Sequence, residues 1–210
     1  DADGSPAKFE NAGNPLLDLE LYKDIASVNR VLGNISPTLR IIKGLTYKLN
    51  FGIDNTTTTR DIVNFANAEP QRDGRFETQG IQLRNRLIEN YLTYTTDIDK
   101  HTLSALAGHS YQNIFYQYRS SSINKLPLND LDPTYNPGIG QGLTMANNRP
   151  TGNANINELQ SYFARINYAF DNRYLLTASF RMDGSTKFGE NNKYGYFPSF
   201  SLGWNIKEEA

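Results

Sequence analysis

The chain has 210 residues, 38% of them hydrophobic and 12% aromatic, and its 21 basic and 22 acidic residues leave a net charge of -1. That balance excludes the basic footprint of a nucleic-acid binder, and the absence of cysteine excludes disulfide frameworks and thiolate metal sites. No run of about 18 apolar residues is present, so there is no transmembrane helix, whereas a transmembrane barrel stays open because alternate residues of its strands face a polar lumen.

Residues 1 to about 24 are rich in Gly, Pro, Asn and Asp and read as loop, with room for one helical turn near Leu16–Leu21. Asp1 to Pro6 show no basic or apolar leader, which leaves a cytosolic protein or a mature or excised piece; the strands below favour an excised piece. Alternation begins with Val31, Gly33, Ile35, Leu39 and Ile41 on one face against Asn34, Ser36, Thr38 and Arg40, with Pro37 marking an edge or bulge. Lys43-Gly44 is a tight turn, after which Leu45, Tyr47, Leu49, Phe51 and Ile53 alternate with Thr46, Lys48, Asn50, Gly52 and Asp54. Residues 55–80 are polar and predict a long excursion.

A strand over Ile81 to Thr95 follows, aligning Ile88, Leu92 and Tyr94, then a turn at Asp97–Lys100. The next strand runs from His101 to about Arg119, with Leu103, Ala105, Ala107 and Tyr111 on one parity. A second excursion, 120–158, holds several prolines and Gly138-Ile139-Gly140-Gln141-Gly142. The last third has the clearest pattern: Tyr162, Ala164, Ile166, Tyr168 and Phe170 share one face, then Tyr174, Leu176, Ala178, Phe180 and Met182 after the hairpin turn Asp171-Asn172-Arg173. Phe200, Leu202, Trp204 and Ile206 repeat it once more. Connections alternate between short and long, so every short turn belongs at one end of an up-and-down meander and the long loops at the other.

Ser161–Tyr168, Asp171–Trp204, Asn29–Asn34 and Ile42–Leu45 closely resemble the SusC/RagA family of TonB-linked outer-membrane transporters of the Bacteroidetes. The resemblance implies an all-β, antiparallel up-and-down wall of a 22-stranded transmembrane β-barrel. It also implies a plug domain, energy from TonB, and a SusD-like surface lipoprotein that captures glycan or peptide substrate at the outer-membrane lipid. About seven strands are expected over residues 1–210, a partial receptor barrel domain with no plug domain, signal, TonB-contacting segment or C-terminal aromatic strand.

Other chemistry is thin. The Gly138–Gly142 stretch lacks the Gly-Lys-Ser/Thr of a phosphate loop, and His101 and His109, eight apart on a strand, are too far apart to share a metal. Asp97 with Asp99, and Asp183 with Glu190, sit in turns where Asp bonds the backbone, so no catalytic, cofactor or metal residue is assigned and no enzyme is expected. Asn55-Thr56-Thr57 has the glycosylation pattern without force in a bacterial protein. Arg40, Lys48, Arg165 and Arg181 fall on polar faces, where pairing with carboxylates of neighbouring strands is favoured over substrate contact. Substrate-binding residues are unknown; the long loops are the better place for them, with Tyr135 and Phe65 able to stack on a sugar ring. The function expected is import of oligosaccharide or peptide nutrients. The alternative is a soluble all-β carbohydrate-binding or adhesion module whose aromatic faces pack together, and a glycosidase lacks a carboxylate pair.

Overall fold

The computed structural model describes residues 15–68, 71–128, 131–141, 146, 148–189 and 191–209. Expectations for residues 1–14, Gly142 and Glu190 lie outside the described residues. A short helix α1 (Pro15–Glu20) precedes strands β1 (Tyr22–Ile35), β2 (Thr38–Ile42), β3 (Leu45–Asn64), β4 (Asn67–Ala68), β5 (Gln71–Arg72), β6 (Gly74–Ile98), β7 (His101–Leu126), β8 (Thr151–Phe170), β9 (Tyr174–Ser185) and β10 (Tyr194–Trp204). The main sheet has eight strands in the order β1-β3-β6-β7-β8-β9-β10, with β2 also on β3, and β4 and β5 form a separate hairpin. β1 and β2 are thus two halves of one edge strand interrupted at Ser36-Pro37, where the Pro37 carbonyl still accepts from the Leu49 amide at 3.1 Å.

The register explains the alternation. Across β8, β9 and β10 the rows Tyr162–Met182–Tyr196, Ala164–Phe180–Pro198, Ile166–Ala178–Phe200, Tyr168–Leu176–Leu202 and Phe170–Tyr174–Trp204 are directly opposed. One face is therefore apolar in every row, while of the four intervening rows Arg165–Ser179–Ser199 and Asn167–Thr177–Ser201 are polar, Phe163–Arg181–Phe197 is mixed and Ala169–Leu175–Gly203, at the hairpin end, is apolar. A one-residue slip in any strand would put its whole apolar set on the wrong side.

Three expectations need correcting. The excursions placed at 55–80 and 120–158 shrink, because β3 runs on to Asn64, β6 starts at Gly74, β7 ends at Leu126 and β8 starts at Thr151. Those extensions are mostly polar and bury only isolated residues such as Val63, Phe76 and Leu126, so they carry no apolar period; β-branched Thr56–Thr59 and the neighbouring strands help to hold them. The first strand begins at Tyr22, where the loop read to about residue 24 leads into it, but Ile206 lies in a 3-10 turn (Ile206–Glu209) rather than on the face of β10.

Contacts divide the chain into two compact units. The first gathers, from Pro15, the chain up to Arg30 with Thr56–Gln82 and Tyr116–Ala154. It holds the buried hydrophobic cluster, Val63, Phe76 and Leu126, with Phe65, Ile123 and Ile139 packed against it. Gly74 is needed there, since a Cβ would meet the Leu126 Cβ at 2.7 Å.

The second unit, Val31–Asn55, Leu83–Phe115 and Asn155–Ala210, contains the three short turns, and they are tied side to side. The Gly44 carbonyl accepts from the Thr95 amide at 2.9 Å, the Lys100 carbonyl from Asp171 at 2.7 Å and the Arg173 carbonyl from Asn205 at 2.8 Å. Asp99, Asp171 and Asn172 adopt the left-handed conformation that Asp and Asn tolerate in tight hairpins. The apolar rows of this unit stay open: Phe200, Leu202 and Trp204 are 79%, 84% and 58% exposed. Each Leu, Ile or Phe left in water forgoes roughly 1.5–3 kcal/mol, and several such residues together rival the net stability of a domain, about 5–15 kcal/mol. The aromatic faces do not pack against each other, so the face requires an apolar medium.

Gly44 has φ +82, and a Cβ there would run into the Thr95 carbonyl. Gly44→Ala is expected to cost about 1–3 kcal/mol, read as a lower unfolding temperature of the intact barrel in detergent. Gly80→Ala, where a Cβ meets nothing within 4 Å, is the control. Equal unfolding temperatures for both would contradict the close seating of the turn on β6.

Candidate functional site

The polar face of the second unit carries two adjoining clefts. One, of about 760 Å³, is lined by Asn34, Ser36, Thr38, Lys48, Asn50 and Thr93; the other, of about 500 Å³, by Ser110, Phe163, Arg165, Ser179, Arg181 and Phe197. Glu89, Tyr91 and Leu106 line both. A ladder of amides feeds the carboxylate: Asn34 Nδ2 donates to Asn50 Oδ1 at 2.6 Å, and Asn50 Nδ2 donates to Glu89 Oε2 at 2.7 Å. On β9, Arg181 Nε donates to both Asp183 oxygens at 2.7 and 2.8 Å and its Nη2 to Ser161 at 3.2 Å, while its guanidinium lies 5.6 Å from the Phe163 ring centre.

The structure sorts the sequence candidates. Arg181 pairs with a carboxylate of its own strand, Asp183, rather than of a neighbouring one, whereas among the described residues Arg165 and Lys48 line the clefts without an ion pair. Arg40 is exposed on β2. His101 and His109 belong to the apolar side: His101 Nδ1 is 2.7 Å from the Tyr168 hydroxyl and its ring 5.0 Å from Phe170, and the His109 ring is 4.8 Å from Tyr162. They form part of two aromatic fringes. Asp97 accepts from Thr102 at 2.7 Å, and Ile139 of the Gly-rich stretch is a packing residue of the buried cluster. Phe65 packs on that cluster too, leaving Tyr135, 80% exposed, as the presented aromatic of the pair. Glu89, Tyr91, Asn50 and Phe163 escape sequence reasoning; the available signal is that Glu89 and Tyr91 alternate against Ile88, Leu92 and Tyr94. Among the described residues no group of His, Asp and Glu is arranged to hold a metal ion.

In the first unit, two ion pairs fasten the polar strand ends. Arg60 binds Asp24 through two hydrogen bonds of 2.8 and 2.5 Å, and Lys23 Nζ reaches Asp132 at 2.6 Å and lies 5.9 Å from the Tyr135 ring centre. Asp132 also caps the Thr134 amide at 2.8 Å. The hydrogen bonds from Arg60 hold the Asp24 carboxyl below the usual range, and those from Lys23 do the same for Asp132.

A family model described as TonB dependent receptor-like, beta-barrel, matches residues 13–209. The chain belongs to that family. TonB-dependent receptor P39 of Formosa agariphila is 35% identical over 100% of this chain and 20% of its own length. TonB-dependent receptor SusC of Bacteroides thetaiotaomicron is 31% identical over 93% of the chain and 19% of its own. Among solved structures, the RagAB peptide importer in its closed-closed state superposes with a TM-score of 0.83 at 25% identity, over 93% of this chain and 22% of that one. The chain spans about a fifth of the length of the curated relatives it matches. The receptor section is thus all-β barrel wall, its place is the bacterial outer membrane, and its family is one of receptors and transporters rather than enzymes.

Because both carboxyl groups titrate below their unfolded values, the ion pairs stabilise the strand ends fully above the ordinary carboxylate range, about pH 4. That support fades as the pH falls through the depressed values. The hydrogen-exchange protection factor of residues 131–141 in the intact receptor, the intrinsic rate at each pH divided by the observed one, is expected to fall below about pH 4, and Asp132→Asn to lower it at neutral pH. A protection factor that does not change with pH would show that the pairs do not fasten the segment.

Proposed function

We propose that this chain is a section of the wall of a TonB-energised importer that moves an oligosaccharide or peptide across the outer membrane without covalent chemistry. A SusD-like surface lipoprotein captures the substrate, and the energy arrives through TonB. The observation that carries the reading is the lateral register of β8, β9 and β10, which stacks apolar side chains on one exposed face and polar ones on the other. On the strand β8, Tyr162 to Phe170 spans eight steps, about 27 Å along the chain; at a tilt near 40° that covers roughly 20 Å of membrane height, close to the apolar band of such barrels. Tyr and His at the upper end and His, Tyr, Phe and Trp at the lower end suit the interfacial girdles. The kinship with SusC, and with a complex described as a peptide importer, supports the transport reading for the whole receptor.

Single cysteines in the intact receptor in outer membranes test it. Thr177→Cys and Ser201→Cys are expected to react with a water-soluble, membrane-impermeant thiol reagent in purified, opened membranes, and Leu176→Cys, Phe180→Cys and Leu202→Cys to be protected until detergent is added. Equal reactivity at all five positions would refute the two-sided wall.

A further inference from the structure

We propose that Phe163, Glu89 and Arg165 form a transit subsite for one neutral sugar ring on the polar face of the wall. The inference rests on the importer reading and narrows its substrate class to uncharged oligosaccharide.

The subsite begins with a glycine. β6 and β8 are separated by β7, about 10 Å across two ladder spacings, yet the Tyr91 and Phe163 rings come within 5.6 Å, tilted at 55°. Gly108 of β7 makes that possible: a Cβ there would collide with the Phe163 ring, so the ring lies over bare backbone. Tyr91 on one side and the Arg181 guanidinium, 5.6 Å from the ring centre, on the other hold it in place. Phe197 stands in the same row, opposite Arg181, which is itself opposite Phe163. The result is a fixed aromatic plate on an otherwise polar wall.

Planar polar groups flank the plate. Glu89 accepts from Asn50 through one oxygen and also interacts with the Tyr91 hydroxyl, and the remaining lone pairs of its carboxylate leave room for a ligand hydroxyl. Arg165, two residues from Phe163, has no side-chain hydrogen bond or ion pair among the described residues, so its guanidinium fork is available. Ser110 and Ser179 complete the lining of the cleft of about 500 Å³. A pyranose presents C–H groups on its faces and hydroxyls, both donors and acceptors, around its rim. Such a ring fits an aromatic plate bordered by one acceptor and one donor fork.

Charge decides between sugars. Arg165 and Arg181 are offset by Glu89 and Asp183, the latter bound to Arg181. The site is therefore balanced, and an anionic ligand would gain from Arg165 while facing the Glu89 carboxylate.

The test uses the intact receptor in opened outer membranes, with Ser179→Cys, in the lining of the cleft, and Thr177→Cys as separate labelling sites. Probes are neutral hexasaccharides of glucose in both α- and β-linkages and of xylose, a hexagalacturonate and an acidic hexapeptide, each up to 50 mM. At least one neutral hexasaccharide is expected to slow labelling of Ser179→Cys, with Thr177→Cys unaffected. The same sugar is expected to perturb the emission of Phe163→Trp. Glu89→Gln, which removes the charge but keeps a planar group, should weaken that response about tenfold, the loss of one charge-assisted hydrogen bond. Phe163→Leu combined with Ser179→Cys should abolish protection, while an unchanged heat-modified mobility reports folding. Stronger protection by hexagalacturonate or the peptide, or no protection by any probe, would overturn the subsite. Loss of Thr177→Cys labelling in the absence of sugar would instead bring down the two-sided wall beneath it.

Discussion

Every residue of a β-strand must face one side of its sheet or the other, and the lateral register of β8, β9 and β10 makes all three strands choose alike. Tyr162, Met182 and Tyr196 stand in one row, Phe170, Tyr174 and Trp204 in another, and every row between them on that side is apolar. The consequence is a sheet with no interior of its own. Its apolar surface is satisfied by hydrocarbon rather than by a second layer, and the low mean hydropathy of the chain follows from spending half of each strand on a wet surface. The side-to-side bonds between the short turns hold that register at the end where the strands are joined most tightly.

Where both surfaces of a strand meet water, a different device is needed. In the first unit, Val63, Phe76 and Leu126 make a small buried cluster, with Ile139 delivered from the long β7–β8 connection. Ion pairs Arg60–Asp24 and Lys23–Asp132 supplement it. Exposed pairs contribute little singly, but bidentate geometry and the shared Asp132 cap give these more order than isolated surface pairs have.

On the wet side, the barrel wall is chemically uneven. An absent side chain at Gly108 allows Phe163 to cross a whole strand and touch Tyr91, so backbone economy in β7 creates an aromatic surface in a polar field. Residues that a parity argument treats as equivalent solvated positions thereby acquire distinct roles: Arg181 is neutralised by Asp183, and Arg165 is left facing the cleft.

Much of this was legible in the residues themselves. Period-two alternation over Tyr162–Phe170 and Tyr174–Met182 determined the strands, their apolar sides and the hairpin at Asp171–Arg173, because a lipid-facing strand must mark every second position, and the family was read from the resemblance of Ser161–Tyr168 and Asp171–Trp204 to its members. The mainly polar reaches of β3, β6, β7 and β8 left no such mark, since they bury only isolated residues such as Val63, Phe76 and Leu126 and so have no period to read, and only pairing with neighbours revealed them. The contacts of Glu89, Phe163 and Arg165 were likewise decided by tertiary structure alone. Which side chains meet across two strands depends on the register between them and on the room left by Gly108, and neither is written in any single strand.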